Sequence, residues 1–107
     1  MSSWYKWLMN TNFFKLGFNE NWAIWAHMAG GGIGAFVFPF FMSILHSALL
    51  IIAIVFLWEV YEFIKGGGKA GMVKIYGSLE RWFYDSLGDI TGALFTGGLT
   101  LCAILLN

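Results

Sequence analysis

Charge is what this sequence has least of. Asp, Glu, Lys and Arg make up 11% of its 107 residues, against roughly a quarter in an ordinary soluble domain. Basic side chains are absent from residues 16–64 and again from 82–107. Net charge is zero, so no basic face argues for nucleic acid, and none is expected as a partner. The single cysteine, Cys102, excludes an internal disulfide and carries no information about redox compartment. The single proline, Pro39, stands where one apolar run gives way to the next, a place where proline ends a helix without disturbing its successor.

What fills the space is apolar. Hydrophobic residues form 59% of the chain and the mean hydropathy is +0.71. A soluble chain this short has too little interior to hide so many apolar side chains, whereas a bilayer removes the difficulty. The 11 Phe, 6 Trp and 4 Tyr fit the same class, because Trp and Tyr concentrate where hydrocarbon meets water.

The expected fold is all-α and integral to a membrane: three transmembrane helices preceded by an N-terminal interfacial amphipathic helix. Residues 1–20 lack the continuous apolar core of a secretory signal. Trp4, Trp7, Leu8, Phe14 and Phe18 instead recur at helical spacing among Lys6, Asn10, Asn12 and Lys15, which suits a helix lying in the interface. Residues 21–107 then read as one transmembrane domain, with spans at about 21–41, 42–64 and 87–106. Each run has the ~20 residues a bilayer core requires. Residues 65–86 are expected as a cytoplasmic loop, opened by the glycine- and lysine-rich KGGGKAGMVKIYG.

Three spans put Lys6, Lys15, Lys65, Lys69, Lys74 and Arg81 on one side and no basic residue on the other. The positive-inside bias makes the first side cytoplasmic, with the C-terminus outside, in what is expected to be a bacterial cytoplasmic membrane. Gly30 with Gly34, Ser43 with Ser47, and Gly88 with Gly92 form small-xxx-small pairs, which predict close helix approach within one chain or between copies.

All six acidic residues fall on the cytoplasmic half. Glu59 and Glu62 share a face of the second span, and Asp85 and Asp89 a face of the third. His27 in the first span and Glu59 in the second each sit roughly 9 Å inside the cytoplasmic boundary, at ~1.5 Å per residue. Ionisable groups at such depth face a cavity or one another. Protons, Arg81 and Lys65, or a metal ion would have to offset the repulsion. Mg²⁺ or Mn²⁺ suits the carboxylates Glu59, Glu62, Asp85 and Asp89 as ligands; adding His27 admits Zn²⁺ or Fe²⁺. Helix-end capping and ion pairing at the headgroup level would explain the same residues without a site. His46, beside Ser43 and Ser47, is expected to bond a backbone carbonyl near the opposite face.

The order of these pieces resembles the VanZ-like and YjdF-like families of small bacterial membrane proteins. The matching segments are ENWAIWAH with His27, LWEVYEF with Glu59 and Glu62, and RWFYDSLGDITGAL with Arg81, Asp85 and Asp89, together covering about residues 20–98. Thr91 and Gly92 stand where those families usually have Asn or Asp. The resemblance implies an envelope-associated role and a shared polar site. A fainter resemblance, to integral-membrane diacylglycerol kinases, rests on Asn19-Glu20, Glu59, Glu62 and Asp89 and implies a lipid-kinase-like enzyme.

Two functions follow as expectations. In the first, a cytoplasmic-leaflet site binds a divalent metal and a phosphorylated lipid or envelope headgroup. There His27, Glu59 and Asp89 are the reactive groups, Glu59, Glu62, Asp85 and Asp89 the metal ligands, and Arg81 the anion contact. In the second, the protein is an oligomerising or accessory subunit, such as a holin-like protein or a small partner in a larger membrane complex. Convergence of the polar side chains within one chain would favour the first.

Overall fold

The computed structural model describes residues 2–107; Met1, the first residue of the expected interfacial segment, lies outside them. Among the described residues every regular element is helical. Helix α1 is Ser2–Met9. Helix α2, Asn12–Phe14, is capped by the Thr11 hydroxyl and widens into a π-turn over Lys15–Asn19. Helix α3 is Ile24–Val37, extended by a tight turn at Phe38–Phe40 with Pro39 near its start. Helix α4 is Ile44–Lys65, α5 is Gly68–Tyr76, and α6 is Leu79–Leu106.

Serine sets both long helices in place. The Ser43 hydroxyl accepts the His46 backbone N–H at 3.1 Å and opens α4. Ser78 accepts the Arg81 N–H at 3.0 Å and opens α6. Such caps satisfy amide donors that the first turn leaves without a partner. His46 Nδ1 lies 2.8 Å from the Ser43 hydroxyl, so its partner is a side chain rather than the expected carbonyl.

Helices α4 and α6 are long and apolar enough to cross a membrane. A third candidate exists only if Asn12–Asn19 and Ile24–Phe40, bent by 79° at their break, count as one span. By itself α3 has 14 residues, about 21 Å of helix, short of the ~30 Å hydrocarbon core. The expected straight run over 21–41 is thus a shorter helix entered through a sharp bend at Glu20–Ala23.

The segment 65–86 is not a loop. Gly67 and Gly68 adopt φ of +102° and +69°, a left-handed geometry glycine enters without a Cβ penalty. The turn they make lets α5 fold back so that Met72, 2% exposed, packs over Gly66. Gly77, φ +95°, ends α5, and α6 begins two residues later, well before the expected Leu87.

Helices α3 and α6 approach through glycine. A Cβ on Gly31 would overlap the Ala93 backbone, and one on Gly17 would lie 2.9 Å from the Tyr84 carbonyl oxygen. Gly92 meets Ile24 and Met28, whose atoms would lie 2.9 and 3.0 Å from an added Cβ. Thr96 donates its hydroxyl proton to the Met28 carbonyl at 2.5 Å. Small residues permit this closeness where hydrophobicity does not drive association. Gly30, expected at a helix contact, has nothing within 4 Å of an added Cβ; its neighbour Gly31 makes the contact.

The result is a thin slab, 17 Å in its least Cα extent. Few apolar side chains are therefore buried, chiefly Ala35, Ile51, Ala93 and Leu101 between the long helices, with Met72 under α5. Phe36, Leu49, Phe56, Leu57, Phe95 and Leu105 point outward, an apolar surface that suits helices long and apolar enough to cross a membrane.

Candidate functional site

Helices α3, α4 and α6 each bring one ionisable side chain to a common point. His27, Glu59 and Asp89 offer ligand atoms that all lie within 4.8 Å of one another. His27 Nε2 is 3.4 Å from Asp89 Oδ2. The placement follows from the backbone: α3 and α6 are drawn together at Gly31–Ala93, one turn from His27 and Asp89, and α4 closes the third side.

Asp89 is 4% exposed and Glu59 6% exposed. The other Asp89 oxygen, Oδ1, accepts a 2.6 Å hydrogen bond from Asn21 Nδ2. The same amide also donates to the Gly17 carbonyl at 3.0 Å and the Asp85 carbonyl at 3.3 Å. Asn21, 3% exposed, thus ties the bend before α3 to α6 and aims Asp89 Oδ2 at His27. Sequence reasoning passed over it because a neutral amide adds no charge to the pattern; its one signal was position, at the head of a helix whose first turn holds no acid.

Glu59 Oε1 is buried and has no hydrogen-bond partner among the described residues. That is costly: a buried polar atom left unpaired loses roughly 1–3 kcal/mol, and more when charged. Two carboxylates about 5 Å apart, both ionised, would repel by roughly 3 kcal/mol at an effective dielectric of ~20. A shared proton, a protonated His27 or a bound cation would each relieve that repulsion.

Of the four carboxylates expected as metal ligands, Glu59 and Asp89 join the cluster with His27, whereas Glu62 and Asp85 do not. They form a second layer. Glu62 is three residues further along α4 and Asp85 four residues earlier on α6, and because these helices run in opposite directions both are displaced toward α5. Residues one turn apart share a helix face but differ in depth by about 5 Å, and here the Glu62 and Asp85 carboxylates fall outside the group of converging ligand atoms. Tyr76 at the end of α5 senses both layers: burial, followed by Asp85, Glu62, Asp89 and Glu59 in that order, pushes its pKa up to about 12.

Arg81 stands outside the site. Its Nη2 donates to Glu20 Oε1 at 3.1 Å, and both side chains are substantially exposed. The reason is Glu20 itself, which the bend at the start of α3 brings over the first turn of α6. The expected anion contact is a surface ion pair.

As a donor set, one imidazole nitrogen and two carboxylate oxygens suit Zn²⁺, Mn²⁺ or Fe²⁺ better than an all-oxygen Mg²⁺ shell. Two ligands at ~2.1 Å from a tetrahedral ion lie about 3.4 Å apart; His27 and Asp89 stand at that separation, and the set with Glu59 spreads over up to 4.8 Å, so Glu59 would close in on an ion. Three protein ligands leave a fourth position for water or an outside ligand.

Beside the cluster, a cavity of about 420 Å³ opens between α3 and α4, with His27 and Glu62 in its lining. On the other side of Glu59, a second cleft of about 340 Å³ runs between α4 and α6 past Ser86 and Trp82. No protein-family model matches the chain, and no curated protein or solved structure is similar to it. The resemblance to VanZ-like proteins therefore rests on the motifs quoted above.

Proposed function

We propose that this is a three-span membrane protein, N-terminus inside, which holds a divalent cation among His27, Glu59 and Asp89 and through it binds the phosphate of a lipid headgroup. The observation that carries the reading is Glu59 Oε1, buried without a partner in a cluster of two carboxylates and one imidazole. A cation would supply the missing partner, neutralise the carboxylates and leave one open position able to polarise a phosphoryl oxygen. Convergence within one chain favours such a site over an accessory subunit whose polar groups meet only in an assembly.

Orientation is supported by charge. Lys69 and Lys74 lie on α5 with Lys65 and Arg81 to either side, and Lys6 and Lys15 lie in the N-terminal helices, whereas the Phe38–Ser43 turn and the C-terminal end carry no basic residue. Under the positive-inside bias the α5 side is cytoplasmic. Exposed Trp4, Tyr5 and Trp7 on α1 suit the interface of that leaflet. A reporter fused after Asn107 is expected to be active only if it works outside the cytoplasm; activity of a cytoplasm-dependent reporter there would refute this topology.

The test of the site is thermal denaturation in nanodiscs with Mn²⁺, Zn²⁺ or Mg²⁺ against chelator. Binding to the folded state alone stabilises it by mass action, so the melting temperature should rise with Mn²⁺ or Zn²⁺, and the rise should vanish in Glu59→Gln. An unchanged melting temperature across all three ions would end the metal reading.

A further inference from the structure

We infer that α5 and the adjoining end of α4 form a docking face for anionic phospholipid headgroups, with Lys65, Lys69 and Lys74 as the anion contacts. The inference rests on α4 and α6 crossing a bilayer and is independent of any cation at His27, Glu59 and Asp89.

Helix α5 joins the C-terminal end of α4 to the N-terminal end of α6, so it lies where both leave the apolar part of a membrane. It is held there as a platform. A Cβ on Gly71 would overlap the Gly66 carbonyl, and Met72 is buried against the same Gly66. The inner side of α5 is thus fixed to the end of α4. Its outer side carries two adjoining rows, Lys69 with Val73 and Ala70 with Lys74, each pair four residues apart. All four side chains are exposed, as is Lys65 at the end of α4.

The lysines on this face have no partner of their own. Among the described residues the ion pairs are Arg81–Glu20 and His27–Asp89, so Lys65, Lys69 and Lys74 are joined to no carboxylate. Lys65 is the telling case, since Glu62 stands three residues before it, the spacing of a helical ion pair. Its Nζ lies instead 5.4 Å from the centre of the Tyr61 ring, a cation–π contact that leaves the ammonium without an acceptor oxygen. Exposed acids nearby are engaged elsewhere: Glu20 accepts from Arg81 at 3.1 Å and Glu80 from Asn12 at 3.3 Å. Arg81, the expected anion contact, is the basic side chain at this end that already has a carboxylate.

Apolar neighbours favour a lipid surface over a soluble anion. Ile64 is 70% exposed and Ile75 62%, and with Val73 they stand among the lysines. Lysine stems lying along apolar surface, with their ammonium groups beyond it, suit the boundary between acyl chains and headgroups. Lysines beside a membrane span are drawn to anionic lipid there, and a folded α5 presents them in fixed order.

The test is native mass spectrometry of the full-length protein from micelles containing phosphatidylglycerol or phosphatidylcholine. Chelator is present throughout, so no metal bridges lipid to the His27 cluster. The wild type should retain phosphatidylglycerol in preference, and the preference should fall as salt rises before desolvation. Each of Lys65→Gln, Lys69→Gln and Lys74→Gln should weaken that retention about fivefold, the share of one basic side chain near an anionic surface. The triple variant should hold the two lipids alike, whereas Lys6→Gln with Lys15→Gln should keep the wild-type preference. Equal retention of both lipids by the wild type would overturn the proposal, as would a triple variant as selective as the wild type. Equal loss in the Lys6 and Lys15 double variant would overturn it too, by making net charge the cause. Amide exchange of the wild type needs no variant: α5 should exchange more slowly in phosphatidylglycerol than in phosphatidylcholine nanodiscs, and identical exchange would refute the face. Failure of the manganese-dependent melting shift would remove the cation and leave these outcomes as they stand.

Discussion

Asn21 and Asp89, separated by 68 residues in sequence, share a 2.6 Å hydrogen bond in the buried centre of the molecule. An amide has two hydrogens, and Asn21 spreads them over Asp89 Oδ1 and the carbonyls of Gly17 and Asp85. One neutral side chain thereby fixes the bend before α3, the start of α6 and the direction of the carboxylate that faces His27.

Replacing Asn21 with Ala should lower stability by about 1–3 kcal/mol, the usual cost of leaving buried acceptors unpaired. It should also weaken manganese-dependent stabilisation, since Asp89 would be free to rotate away from His27. Unfolding in mixed micelles with and without Mn²⁺ measures both. Stability and metal response equal to wild type would show that Asn21 is a bystander.

Adjacent glycines should behave in opposite ways. A methyl group on Gly31 would overlap the Ala93 backbone, and backbone cannot rotate aside. Gly31→Ala should therefore cost about 1–3 kcal/mol through overpacking. Gly30→Ala meets open space and should be neutral, or stabilising by up to ~1 kcal/mol from helix propensity alone. Melting temperatures of the two variants, measured side by side, decide the matter; equal effects would mean that α3 is rotated from the position described.

Tyr76 gives a pH-dependent handle outside the long helices. Its ordinary pKa of 10.0 is pushed to about 12, first by burial and then by the nearby acids. A raised pKa means the folded chain keeps a proton that the unfolded chain releases. The corresponding stability is complete below pH 10.0 and is lost as pH climbs toward about 12. Tyrosinate absorbance should show one late-titrating group, absent from Tyr76→Phe, and that variant should lose stability less steeply across the window. Four tyrosines titrating together would dismiss the buried environment.

Much of this was legible before any coordinates. The apolar runs marked α4 and most of α6, and depth counting put His27 and Glu59 at one level, where Asp89 joins them. Other features were hidden for reasons that periodicity cannot reach. In the run Gly30-Gly31-Gly32, helical spacing gives no hint which glycine faces α6. Arg81 looked available to the acids on its own helix, but its partner Glu20 lies 61 residues away. Helix α5 was masked by its glycines, which serve as turns at Gly67, Gly68 and Gly77 while Met72 anchors the helix between them. Asn21 carries no charge, so its role emerges only from a long-range contact.

Glu59 supports the sharpest prediction, a reversal of stability order with metal. Without cation its Oε1 is buried and unpaired, so the carboxylate is a liability in the apo protein. Gln has the same shape, and its amide can donate toward Asp89, a carboxylate in the same cluster. In chelator, Glu59→Gln should therefore be more stable than the wild type, by about 1–3 kcal/mol. In saturating Mn²⁺ the order should invert. The wild type gains about 2.7 kcal/mol at a hundredfold excess over its dissociation constant, whereas the variant lacks a charged ligand and gains little. His27→Gln, which removes a ligand without relieving the carboxylates, should lose the metal response yet show no gain in chelator. Crossing stability curves for Glu59→Gln, with no crossing for His27→Gln, would mark Glu59 as held in place for a cation. Parallel curves would make it an ordinary buried carboxylate, whose retention would then need another cause.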